Sequence, residues 1–120
     1  MSWLEERKKT FYEMGLVQND LFVYGTGKRT WYDIHHSLPV GFTFVDGELI
    51  ITPIEKNTIL TDKAVRINKT NVKELRFKKD IFGDLYLVVR YNSGKKSEYF
   101  VMKPIEVMKK IVDMYNSQSV

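Results

Sequence analysis

The stretch Gly41-Phe42-Thr43-Phe44-Val45-Asp46-Gly47-Glu48-Leu49-Ile50-Ile51-Thr52 decides the fold. With Val40 before it, Phe42 and Phe44 alternate with Gly41, Thr43 and Val45, the period that sends successive side chains to opposite faces of a strand. Asp46-Gly47 supplies the residues that tolerate the positive torsions of a tight hairpin turn, and Glu48 to Ile54 resumes the alternation. The stretch therefore reads as an antiparallel hairpin with one apolar face. A lone hairpin is not stable in water, so the rest of the chain must cover that face.

The same alternation extends outward on both sides. Leu21 to Thr26 alternates weakly, and Gly25-Thr26-Gly27 ends or bends that strand. Thr30 to Ile34 offers a further short strand, and His35-His36-Ser37-Leu38-Pro39 reads as loop. Downstream, Glu55 to Lys63 is polar and turn-like, and Ala64 to Asn68 is a short strand. Val72 to Lys79 turns Leu75 and Phe77 inward against Glu74, Arg76 and Lys78. Asp80-Ile81-Phe82-Gly83 is a turn with an apolar tip. Asp84 to Tyr91 is apolar on both faces and reads as a central strand. Asn92-Ser93-Gly94-Lys95 is the next hairpin turn and Ser97 to Met102 the last strand.

A helix flanks the strands at each end. Ser2 and Glu5 form a capping box, Glu5 and Glu6 suit the positive end of the helix dipole, and Gly15 is a natural stop. Its apolar stripe of Trp3, Leu4, Phe11 and Met14 is thin, which suits a helix lying over a surface. Pro104 and Glu106 open the second helix, whose face of Ile105, Met108, Ile111, Val112 and Tyr115 is broad enough to plug a core. The organisation is thus one α+β, mainly β domain: residues 1–15 as an N-terminal helix, then residues 20–116 as about seven strands and a C-terminal helix.

Composition narrows the function. The chain has 120 residues, 19 Lys and Arg against 15 Asp and Glu, and no Cys. Without cysteine there is no disulfide framework, thiol nucleophile or Cys-ligated metal. No apolar run is long enough to span a bilayer. The acidic start, Met1-Ser2-Trp3-Leu4-Glu5-Glu6-Arg7, is unlike a secretory signal, so a cytoplasmic protein is expected.

The order of strands, together with Val72-Lys73-Glu74-Leu75-Arg76-Phe77, Leu85-Tyr86-Leu87-Val88-Val89, Tyr99-Phe100-Val101-Met102 and the helix from Pro104 to Tyr115, resembles the pleckstrin-homology-like (PH-like) fold, in particular its bacterial PH and GRAM-like branches. The resemblance covers roughly residues 20 to 116. It implies a partly open barrel of antiparallel strands, one end capped by the C-terminal helix, with the N-terminal helix as an addition. It does not bring lipid binding with it: phosphoinositide-binding members carry a basic run through the first hairpin, and here the comparable region has only Lys28 and Arg29. The tryptophan usual in the last helix of eukaryotic members is absent, and Tyr115 stands in that helix.

Residue chemistry points away from catalysis. Gly25-Thr26-Gly27-Lys28 lacks the length and the helix start of a phosphate loop and reads as a turn, although Lys28 and Arg29 suit an anion. His35 and His36 are adjacent, so in extended chain they point apart and do not share a metal. No carboxylates are spaced as an acid–base pair. No catalytic residue, metal or cofactor is expected. The basic run Lys63, Arg66, Lys69, Arg76 and Lys78 forms a positive strip if its two strands pair, suited to phosphates of a lipid headgroup or nucleic acid; edge lysines that block aggregation are the plainer reading. Nucleic acid is not expected, because Phe77, the aromatic within the run, turns inward. Trp3, Phe11, Trp31, Ile81 and Phe82 are candidate partner contacts. Trp31 with Tyr32, and Ile81 with Phe82, suit a membrane, a partner groove or simple packing. The expected function is a non-catalytic binding or regulatory module that holds a protein segment or a second copy. An anionic-membrane binder is the alternative, and a small-molecule barrel or enzyme the third reading.

Overall fold

Asp46 and Gly47 take φ of +50° and +81°, the paired positive torsions that a tight hairpin turn requires. They join β2 (Pro39–Val45) to β3 (Glu48–Glu55), with Val45 opposite Glu48 and Phe42 opposite Ile51. The turn is held from both sides: Gln18 Oε1 accepts the Asp46 amide at 3.0 Å, and Gln118 Nε2 donates to the Gly47 carbonyl at 3.0 Å. The computed structural model describes residues 3–27 and 38–118. Ser2, the possible strand Thr30–Ile34 and both histidines lie outside the described residues.

The other strands are β1 (Phe22–Thr26), β4 (Thr58–Ile59), β5 (Val65–Ile67), β6 (Leu75–Lys79), β7 (Leu85–Arg90) and β8 (Lys96–Lys103). Together they make one antiparallel sheet in the order β4-β3-β2-β1-β8-β7-β6, with β5 also paired to β3. The sheet is open, and its eight strands exceed the expected seven by β4. The stretch Glu55–Lys63 was expected to be turn alone. Instead Lys56 and Asn57 take φ of +46° and +69°, and the chain doubles back to set Ile59 against Ile54. A 3₁₀ turn at Thr61–Lys63 then carries it to β5, which pairs with the first half of β3. β4 and β5 act as one interrupted strand along the edge of β3.

β1 joins the two halves of the sheet, pairing with β2 on one side and β8 on the other. Its register shifts between Tyr24 and Gly25. A Cβ on Gly25 would lie 2.4 Å from the Phe100 carbonyl oxygen and 2.5 Å from the Phe42 ring. Only glycine fits there, so it bends the strand without ending it.

The inner face holds the main core. Val23, Phe42, Leu49, Ile67, Leu75, Leu87 and Val101 meet Met108, Ile111, Val112 and Tyr115 of α2 (Ile105–Asn116). Ile105, expected on the apolar face of α2, is exposed, and Val107 packs instead. The Tyr115 hydroxyl donates to the Val72 carbonyl. The Asn116 side chain exchanges bonds of 2.8 and 2.9 Å with the Leu75 backbone.

α1 (Trp3–Glu13) covers the opposite face of the first hairpins, building a second core of Phe11, Phe22, Tyr24, Ile54 and Ile59. Phe11 lies 4.8 Å from Phe22, ring to ring, and 2.6 Å from where a Cβ on Gly41 would sit. The helix ends as its glycine implies. Gly15 takes φ +72°, its amide bonds the Tyr12 carbonyl, and the Leu16 amide bonds the Phe11 carbonyl, both at 3.0 Å. That is the Schellman closure, with Leu16 packed into the Phe11 cluster.

Two expectations follow. In urea denaturation, Phe11→Ala lowers stability by about 3–5 kcal/mol and Gly41→Ala by about 1–3 kcal/mol. The double variant loses less than the sum, because the space left by the ring receives the new methyl group. Burial pushes the phenols of Tyr24, Tyr99 and Tyr115 up to about 12, and the hydrogen bond to Asp20 does the same for Tyr12. A phenol whose pKa is raised by folding contributes stability below about pH 10 and loses it as pH climbs through about 12. The urea midpoint therefore falls across that window while absorbance reports tyrosinate.

Candidate functional site

With α1 on β1–β3 and α2 inside, the outer face of β6, β7 and β8 carries no helix among the described residues. The register lays out its side chains. Lys78 stands opposite Tyr86 and then Phe100, Arg76 opposite Val88 and then Glu98, and Arg90 opposite Lys96. Tyr86 and Phe100 meet edge to face at 5.6 Å. Lys78 Nζ reaches Glu98 at 3.1 Å, and Arg76 Nε reaches Glu74 at 3.5 Å.

The turn between β6 and β7 projects two apolar side chains. Ile81 is 93% exposed and Phe82 83%. They do not fold back over the sheet. The turn beneath them is closely bonded: Asp80 Oδ1 accepts the amides of Phe82 at 2.9 Å and Asp84 at 3.0 Å. The Asp80 and Gly83 amides donate to the Asp84 and Asp80 carbonyls, each at 3.1 Å, and Gly83 takes φ +82°. The second oxygen of Asp80 receives the Tyr86 hydroxyl at 3.4 Å.

β6 is also an edge. Asp80 bonds back to Asp84 across the ladder, while Leu75 turns its amide and carbonyl the other way, to Asn116. Antiparallel pairing alternates, so Phe77 and Lys79 share the Leu75 orientation and point their backbone groups away from β7. Among the described residues those groups have no backbone partner.

At the far end of β6 from the tip lies a cleft of about 370 Å³, lined by Lys73, Glu74, Arg76, Val88, Arg90 and Tyr91. Burial raises the Tyr91 phenol above its ordinary range, so it is a neutral hydroxyl there at physiological pH.

The expected basic strip does not form as one surface. Its premise was that the two strands pair, but β5 pairs with β3 and β6 with β7, at opposite ends of the strand order. Arg66 is 3.3 Å from Glu48. Lys69 donates to the Lys73 carbonyl at 2.6 Å and lies 4.9 Å over the Tyr115 ring. Lys63 sits in the 3₁₀ turn. Arg76 and Lys78 share the outer face of β6, as the alternation implied. Phe11, a candidate partner contact, is fully buried against its own sheet because Gly41 leaves room for the ring. Lys28, Arg29, Trp31 and the side chain of Trp3 lie outside the described residues. Among the described residues, no three His, Cys, Asp or Glu side chains cluster as a metal would need, and no helix is long and apolar enough to cross a membrane.

The sequence did not single out Asp80 or Arg90, and it offered Lys73 only as one charge of the basic segment from Lys63 to Lys79. For Asp80 the signal was present, since an Asp opening a turn that closes on Gly bonds its own following amides. For Arg90 the only signal was a charge inside an otherwise apolar strand.

Asp80→Ala removes the acceptor that fixes the tip. The amides of Phe82 and Asp84 are then expected to exchange hydrogen faster, with about 1–2 kcal/mol of global stability lost; unchanged exchange in NMR spectra would show that the turn holds without the carboxylate. Compared with protein-family models, curated proteins and solved structures, the chain finds no match in any of the three.

Proposed function

We propose that this chain is a non-catalytic cytoplasmic binding module on a PH-like scaffold, and that it holds a segment of a partner protein at the β6–β7 end of its sheet. The observation that carries the reading is the pair Ile81 and Phe82, exposed on a turn bound by Asp80. Exposed apolar groups at a fixed site contribute affinity with little ordering cost on binding. The edge amides and carbonyls of Phe77 and Lys79 beside them suit strand addition by an extended peptide. The PH-like reading draws support from the sequence of neighbours β3-β2-β1-β8-β7-β6 and from α2 packed within the curve.

Anionic membrane is the second reading, favoured by Lys78 and Lys79 leading into an apolar tip. Against it stand the Asp80 and Asp84 carboxylates in the tip itself and the pairing of Lys78 with Glu98.

The test is selection of displayed random peptides against the wild-type chain and against Ile81→Ser/Phe82→Ser, whose folding is checked by circular dichroism. The wild type should enrich a related set of extended peptides. The double variant should bind them at least about tenfold more weakly, since burying each apolar side chain is worth about 1.5–3 kcal/mol. Equal binding by the variant, or sedimentation with phosphatidylglycerol vesicles and no peptide enrichment, overturns the reading.

A further inference from the structure

The two ends of the open sheet face differ in how their charge is compensated. Near the tip, Lys78 has Glu98 at 3.1 Å. At the cleft end, Arg90 stands directly opposite Lys96, and like charges in that position destabilise a sheet. Neither Arg90 nor Lys73 meets a carboxylate among the described residues. Arg76 has one, Glu74 at 3.5 Å, but both side chains are mostly exposed, and such a pair is weak and exchangeable. Lys73, Arg76 and Arg90 thus line one cleft, with Glu74 its one lining carboxylate among the described residues, and Lys96 stands across the ladder from Arg90.

From this we infer, resting on the segment-binding reading above, that the partner segment is acidic at the end lying over the cleft and apolar at the end lying over Ile81 and Phe82. The β6 strand, Leu75-Arg76-Phe77-Lys78-Lys79, spans about 15 Å, so a segment that pairs with the edge groups of Phe77 and Lys79 reaches the cleft with its next few residues, running past Leu75, whose own groups Asn116 holds. A carboxylate over the cleft relieves the repulsion between Arg90 and Lys96 and forms forked bonds with the guanidinium of Arg76 or Arg90. A second copy of this chain is a poor occupant. β6 carries three cations in five residues, and edge-to-edge pairing with itself would double them in one place. The same lysines that discourage self-pairing select an acidic strand, which is specificity by repulsion as well as attraction.

The experiment uses fluorescein-labelled probes of about eight residues, the span of β6 with a short overhang, with glutamate at alternate positions in one half and leucine in the other. A second probe replaces each glutamate with lysine. Anisotropy is measured with the full chain and with Lys73→Glu, Arg90→Glu, the pair of reversals, and Ile81→Ser/Phe82→Ser. The glutamate probe should bind, weaken at least about tenfold between low and high salt, and weaken comparably with each reversal. The paired reversal should prefer the lysine probe. If the wild type binds both probes equally, or neither reversal changes affinity, the acidic preference is wrong. Loss of binding in Ile81→Ser/Phe82→Ser alone would then leave the segment-binding reading standing. No binding by either probe overturns both. Arg90-dependent binding to phosphatidylglycerol vesicles without peptide binding assigns the cleft to a headgroup and likewise overturns the inference.

Discussion

Phe11 rests on the bare backbone of Gly41, and that contact settles which outer surface of the sheet is closed. A curled sheet has one concave face and a convex one that both halves share. Here the concave face is filled by α2, and the ring over Gly41 anchors α1 on the convex face of β1–β3. Among the described residues, the second half, β6–β8, carries no helix on its convex face and ends in an edge. The position of the binding surface is therefore a consequence of packing elsewhere. Any side chain at position 41 would lift α1 and blur the difference between the two halves.

Most of the architecture was legible because it rests on local rules. Alternation of Phe42 and Phe44 with Thr43, the Asp46-Gly47 turn and the stripe of Met108, Ile111, Val112 and Tyr115 each declare themselves within a few residues. Less legible was whatever depends on pairing across the chain. Ala64–Asn68 and Val72–Lys79 are neighbours in sequence and read naturally as a hairpin, yet Asn68, Asn71 and Asn92 tie the connection between them into its own bonded loop. Each strand then goes to a different partner. That separation is what divides the basic residues. Phe11 misled for a similar reason, since a thin stripe on a short helix looks like a surface for others until the glycine opposite it is known.

The open face joins two kinds of surface that sequence rules treat separately. Asp80 binds its own turn through one oxygen and Tyr86 of β7 through the other, so Ile81 and Phe82 are presented in a fixed arrangement instead of being scattered by a loose loop. At the other end of β6, the β7–β8 ladder sets Arg90 directly opposite Lys96. Rigid backbone thus maintains two arrangements that free side chains would avoid, one apolar in water and one of like charge. Both rest on the core beneath, where Leu75, Leu87 and Val89 are enclosed.

The grip of Gln18 and Gln118 on one turn reaches into how the chain folds. The β2–β3 hairpin is local and can form within microseconds. Its second clamp comes from a residue 71 positions further on, which must wait for β8 and α2 to settle. Contacts of such long range are slow to close. Asp46-Gly47 is thus both an early turn and a late latch, where nearly the first and nearly the last part of the chain are brought into register.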